Sequence, residues 1–95
     1  SRPTLMGLVD RLRDKLPGGV IALGAAIDGA AVIVVAVGPE LKGDKRFHAG
    51  QTVKVLASQL DGRGGGRPDF AQGGGKNVDA LPAVMAEVPQ VLIAG

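Results

Sequence analysis

The chain has 95 residues and a formal net charge of +2, with 45% apolar and 21% charged residues. That length holds one small domain and not two, and that apolar share belongs to a globular chain rather than a disordered one. The absence of cysteine excludes a disulfide framework and a thiolate nucleophile, no apolar run approaches the roughly 20 residues that span a bilayer, and no signal-peptide pattern is visible.

Ser1 stands where an initiator Met would be, which reads as an excised piece with Ser1 and Arg2 left by cloning. Thr4 is placed to cap a helix running to about Leu16. Leu5, Leu8, Val9, Leu12 and Leu16 recur at helical spacing and form one apolar face. Arg11, Arg13 and Lys15 lie late in that helix, where the helix dipole favours positive charge. Pro17-Gly18-Gly19 ends it.

Val20 to Ile27 and Ala31 to Val37 are aliphatic runs joined by Asp28-Gly29, a hairpin signal. The second run does not alternate, so it is expected to be a central strand covered on both faces. Gly24 inside the first run predicts a bulge or close packing. A polar connection follows over residues 40–47. His48 to about Leu60 then reads as a helix with Ala49, Val53, Leu56, Ala57 and Leu60 on one side, and Gly62 as the residue after its end. Near the C-terminus, Asn77 or Asp79 caps a last helix that reaches about Val88. Leu81, Val84, Met85 and Val88 form its buried stripe, Pro89 ends it, and Val91 to Ile93 pack as a short tail.

Residues 62–75 read GRGGGRPDFAQGGG. Glycine costs conformational entropy, so a fold does not gather it without a reason. Bare backbone lets another molecule approach, and successive exposed N–H groups can cup an anion. Arg63, Arg67 and Lys76 add positive charge around it. The expectation is a glycine-rich loop shaped to meet a polyanion such as a phosphate backbone, with residues 69–72 able to form a short strand in which Phe70 and Gln72 face away from Asp69 and Ala71. The competing reading is a plain flexible linker. The charge distribution supports the first. Between residues 42 and 76, Lys42, Lys45, Arg46, Lys54, Arg63, Arg67 and Lys76 face only Asp44, Asp61 and Asp69. A localised basic surface of this kind suits nucleic acid.

Catalysis finds little support. His48 is the only histidine, and no metal-ligand spacing accompanies it. It reads either as a capping or packing residue or as a phosphate or ribose contact. Ser58 lies within a helix with no base near it in sequence, so there is no nucleophile elbow. Asp69 is expected to bond local N–H groups. The aromatic side chains are Phe47 and Phe70 alone. Sequence-specific stacking on single strands is therefore not expected, and RNA would be met by shape, 2′-OH and phosphate contacts.

The segment GGGRPDFAQGGG (64–75), preceded by FHAGQTVKVLASQL (47–60), resembles the glycine-rich signature near the C-terminus of alanyl-tRNA synthetases and the helix before it. The resemblance covers roughly residues 4–93. That family's C-terminal domain is related to the DHH-associated domain of phosphoesterases, in which a histidine commonly follows the glycine run. Here Arg67 stands at that place, which favours the synthetase branch. The resemblance implies a non-catalytic domain that binds the tRNA elbow and helps the aminoacylation and editing domains of one cytoplasmic parent chain. Such a domain carries no cofactor of its own, while the parent uses ATP, magnesium and zinc.

The expected fold is a single small α/β (α+β) domain. Its sheet is built on a β-hairpin packed by helices near 4–16, 48–60 and 79–88. The candidate nucleic-acid site is Gly64, Gly65, Gly66, Arg67, Gln72, Gly73, Gly74 and Gly75 by position in the signature. Arg63 and Lys76 flank it, and Lys45, Arg46 and His48 are added from charge and placement. The expected partners are tRNA and the parent's other domains, with weak self-association possible and no membrane. The alternatives are the substrate-binding domain of a DHH phosphoesterase and a protein-interaction or dimerisation module.

Overall fold

The computed structural model describes residues 2–41, 43–44 and 46–94. A four-stranded antiparallel sheet in the order β1-β2-β4-β3 carries helices on both faces. Helix α1 (Arg2–Lys15) precedes β1 (Val20–Ile27) and β2 (Ala30–Val37). These are followed by α2 (Ala49–Gln59), β3 (Gly62–Gly66), β4 (Phe70–Gly75), α3 (Leu81–Ala86) and α4 (Val88–Ala94). Short 3-10 turns occupy Pro39–Leu41 and Val78–Ala80. No helix is long and apolar enough to cross a membrane among the described residues.

The β1–β2 hairpin turns on Asp28 and Gly29, both at positive φ (52° and 78°). Such a two-residue turn matches the twist of its strands, and glycine and aspartate tolerate it. β2 lies inside the sheet and is buried from Ala31 to Val37. Its alternate residues serve two cores, which is why its sequence shows no alternation. Ala31, Ile33, Val35 and Val37 join Val53 and Leu56 of α2, Leu60 just after it, Val84 and Val88. Val34 and Ala36 join Val9 of α1 and Ile21, with Leu5, Leu12 and Phe70 packed around them. Gly24 sits in an unbroken register opposite Ile33. A Cβ there would lie 2.9 Å from the Met85 sulfur, so it marks close packing by α3 and not a bulge.

Several features differ from expectation. Leu8 and Leu16 are exposed although they share the apolar spacing of α1, because the helix meets the sheet along the narrower line of Leu5, Val9 and Leu12. Asp61, at φ 58°, makes the left-handed turn after α2, and Gly62 is already strand. Pro89 lies in the first turn of α4 rather than ending a helix, a place where its missing N–H costs nothing. Neither Asn77 nor Asp79 caps α3, which starts after Ala80 with no side-chain cap; Asn77 instead caps the 3-10 turn Val78–Ala80, its side chain accepting from the Ala80 N–H at 3.3 Å.

Candidate nucleic-acid interface

The glycine-rich segment is a hairpin and not a loop of free N–H groups. β3 and β4 pair from Gly62–Gly75 to Gly66–Ala71, and β4 also pairs with β2. The chain reverses at Pro68-Asp69, closed by Arg67 N–H donating to the Phe70 carbonyl at 3.0 Å. Packing explains the composition. A Cβ on Gly64 would lie 2.6 Å from both the Gly73 Cα and a Val53 methyl of α2. Helix α2 therefore rests on bare backbone, closer to the sheet than side chains would allow. Within β4, Phe70 faces α1 and Ala71 faces α2, the alternation expected for that strand.

The start of α2 is clamped by the same hairpin. Ala49 and Gly50 donate to the carbonyls of Pro68 and Arg67 at 2.8 and 3.1 Å. Gln51 donates to His48 Nδ1 at 3.0 Å, and Thr52 donates to the His48 carbonyl at 3.0 Å. The first N–H groups of the helix, normally without partners, are thus satisfied internally. His48 is the N-cap. Because Nδ1 accepts, the other ring nitrogen, Nε2, is the N–H donor.

The predicted site residues divide into two groups and some bystanders. His48, Arg67, Gly65 and Gly66 gather at the turn end of the hairpin. Arg63, which pairs with Gly74, lies ~10 Å back along β3 from Gly66, and Lys76, just past the last pair of the hairpin, lies roughly 20 Å from Arg67, on strands that rise ~3.3 Å per residue. Arg67 is exposed and makes only a loose 3.5 Å contact with Asp69. Arg46 is committed to Asp44, 2.8 Å away, and lies over the Phe47 ring. The Arg46 guanidinium, with help from its backbone N–H, holds the Asp44 carboxyl well below its ordinary value, at about 2. Gln72 sits between Val34 and Gly65 on the α1 side of the sheet. Its Oε1 is buried with no hydrogen-bond partner. Gly73, Gly74 and Gly75 pair with β2 and serve packing. Lys45 lies outside the described residues.

Two concavities meet at His48. A shallow groove of about 220 Å³ runs between α2 and the outer strand β3, with Gly65 and Gly66 on one side and His48, Gln51 and Lys54 on the other. A deeper, mostly apolar cleft of about 350 Å³ lies between the 41–48 connection and the hairpin turn, lined by Leu41, Phe47, Pro68 and Asp69 among others. Sequence reasoning did not place Lys54 in the site. The signal was present, since 48, 51 and 54 recur every three residues on one helical face. The cleft had no local signal, because its walls come from separate segments. Among the described residues, no group of three or more His, Cys, Asp or Glu side chains could hold a metal ion.

A family model described as the DHHA1 domain matches residues 2–94. The alanine–tRNA ligase of Roseiflexus castenholzii is 49% identical over 85 residues, covering 90% of this chain and 9% of that protein. The alanine–tRNA ligase of Desulfosudis oleivorans is 45% identical over 91 residues, covering 96% and 10%. The crystal structure of the C-Ala domain from Aquifex aeolicus alanyl-tRNA synthetase matches with a TM-score of 0.79 and 28% identity, covering 94% of this chain and 78% of that one. The chain spans about a tenth of the length of the curated relatives it matches.

Proposed function

Because the chain belongs to the DHHA1 domain family and is similar over nearly its whole length to alanine–tRNA ligases, we propose that it is the tRNA-binding domain of an alanyl-tRNA synthetase. The relationship to the C-Ala domain makes the chain a non-catalytic domain of that enzyme type. Its task in this reading is to hold the tRNA elbow by shape and phosphate contacts while other domains of a cytoplasmic parent protein aminoacylate and edit. ATP, magnesium and zinc belong to those domains.

The observation that carries this reading is the groove along β3. Its glycine side carries no side chain beyond Cα, and a Cβ on Gly65 would meet nothing within 4 Å. A sugar–phosphate strand can approach such a surface closely, and RNA helices are met in this way. Lys54 lines the groove, and exposed Arg67 follows directly on Gly66. Asp69, the nearest acid in sequence, lies on the cleft side of the turn. An interface built from a few phosphate contacts is salt-sensitive.

The test is a salt titration of binding to folded tRNA, to an unstructured RNA and to a DNA duplex. Preference for folded tRNA with a log–log slope equivalent to a few phosphates supports elbow recognition. Equal binding to all three reduces the surface to a general polyanion patch, and absence of binding refutes the assignment for this domain acting alone.

A further inference from the structure

We propose that the free edge of β1 pairs antiparallel with the same edge of a second copy of the chain, so that two sheets become one. β1 ends the sheet on the side away from β3. The Gly38 N–H donates to the Gly19 carbonyl at 2.7 Å, which makes Gly19 and Gly38 a hydrogen-bonded pair. Bonded pairs recur at every second residue of an antiparallel ladder, so Ile21, Leu23, Ala25 and Ile27 turn their N–H and C=O groups to β2. Val20, Ala22, Gly24 and Ala26 turn theirs outward, and among the described residues no further backbone hydrogen bond reaches them. Natural edges are blunted by charge, proline, a bulge or a covering element. β1 reads VIALGAAI, without charge or proline, its register is unbroken, and Gly24 and Ala26 are exposed. The opposite edge carries charge, with Arg63 in β3 and Lys54 beside it.

The occupant follows from the surroundings of the edge. An added strand has to be extended, uncharged and small enough to lie between apolar cover on two faces. On one face Leu81 and Met85 of α3, both half-buried, stand over Gly24. On the other, α1 packs across β1 and β2. Arg13 lies over Phe70 of β4, and five residues at about 100° each put Leu8 on the opposite flank of that helix, above β1. Leu8 is 40% exposed. β1 itself meets each of these demands, and every copy offers it unpaired. With Leu23 opposite its own counterpart, Val20 meets Ala26 and Ala22 meets Gly24 across the axis. All four outward residues are then paired, and no like charges face each other within the strands. Such a contact is isologous and closes at two copies. β3 and its groove stay at the outer ends of the joined sheet, so the inference does not rest on RNA binding.

The experiment is sedimentation velocity of the 95-residue chain from about 10 μM to about 1 mM, the range suited to an interface at the small, weak end of the scale. The expected result is a reversible monomer–dimer equilibrium, with concentration-dependent amide NMR shifts at residues 20–26 and at Leu8 and none along β3. Ala26→Pro is the diagnostic variant, because it removes an outward N–H and leaves the bonds to β2 intact. It should weaken the dimer roughly tenfold or more, as for a backbone group left without its partner. Ala26→Lys, which puts a charge at an exposed edge position, should act in the same direction and takes the place of the proline variant if that one does not fold. A monomer at every concentration overturns the proposal. So does a dimer that keeps its full strength in the folded variant, or one whose shifts map to residues away from β1.

Discussion

The backbone N–H of Gly50, in the first turn of α2, donates to the carbonyl of Arg67 at the tip of the glycine hairpin, 3.1 Å away. Helix and hairpin thus share one anchor, although the two residues are far apart in sequence. The arginine side chain is left exposed while its backbone is fixed. This arrangement separates substitutions that harm the fold from those that harm only the surface.

Gly64→Ala belongs to the first class. Its methyl would meet the Gly73 Cα and a Val53 methyl at 2.6 Å, and overpacking of this kind costs about 1–3 kcal/mol. Urea unfolding should show a lower midpoint with an unchanged slope. An unchanged midpoint would mean that α2 can lift from the sheet without penalty.

Arg67→Ala belongs to the second class. With an exposed side chain and one loose ion pair, stability should stay within about 0.5 kcal/mol of the parent. Affinity for folded tRNA should fall, and the salt slope should drop by about one phosphate equivalent. Lys54→Ala should behave in the same way, and Lys76→Ala, at the far end of the hairpin, should do less. An equal loss for Lys54 and Lys76 would point to a diffuse field instead of the groove.

His48 separates capping from contact. His48→Ala removes the acceptor for the Gln51 N–H and should destabilise by roughly 1 kcal/mol. His48→Asn, a strong N-cap residue, should restore most of that stability. Loss of RNA affinity that persists in the Asn variant would assign a binding role to the imidazole itself. Full recovery of affinity would leave it a cap only.

Asp44 gives a pH prediction. Its carboxyl is held at about 2 by Arg46, below the ordinary ~3.9. A depressed carboxylate stabilises the folded state above its unfolded value and loses that contribution as pH falls. The tie to Arg46 should persist down to about pH 3 and release as pH passes through about 2. A carboxyl-detected NMR titration measures this directly, and Arg46→Ala should return the midpoint toward the ordinary range. A normal midpoint in the parent protein would mean that the pair does not form in solution.

The sequence made the first half of the fold readable. β-Branched residues and Asp28-Gly29 define the β1–β2 hairpin locally, and uninterrupted burial explains the even apolar run of β2. The glycine segment was legible as a landmark but not as strands. Glycine carries no side-chain alternation, so its pairing is decided by β2 on one edge and α2 above, both distant in sequence. The N–H groups of β4 are accordingly taken up by ladder bonds on both edges, and those of the edge strand β3 only on the side that faces β4. Arg67 and His48 were identifiable from charge and position. The cleft was not, because Val37, Phe47 and Pro68 meet only after folding.

The near absence of side chains on β3 has a further consequence for motion. Between Gly62 and Gly66 only Arg63 extends beyond Cα, so the strand has no apolar anchor of its own. Its adhesion comes from β4 and from the helix above it. Amide hydrogen exchange at these glycines should therefore follow the opening of α2 rather than local fraying. The recognition surface and the helix would then open as one cooperative unit, leaving the doubly covered β2 as the last to exchange.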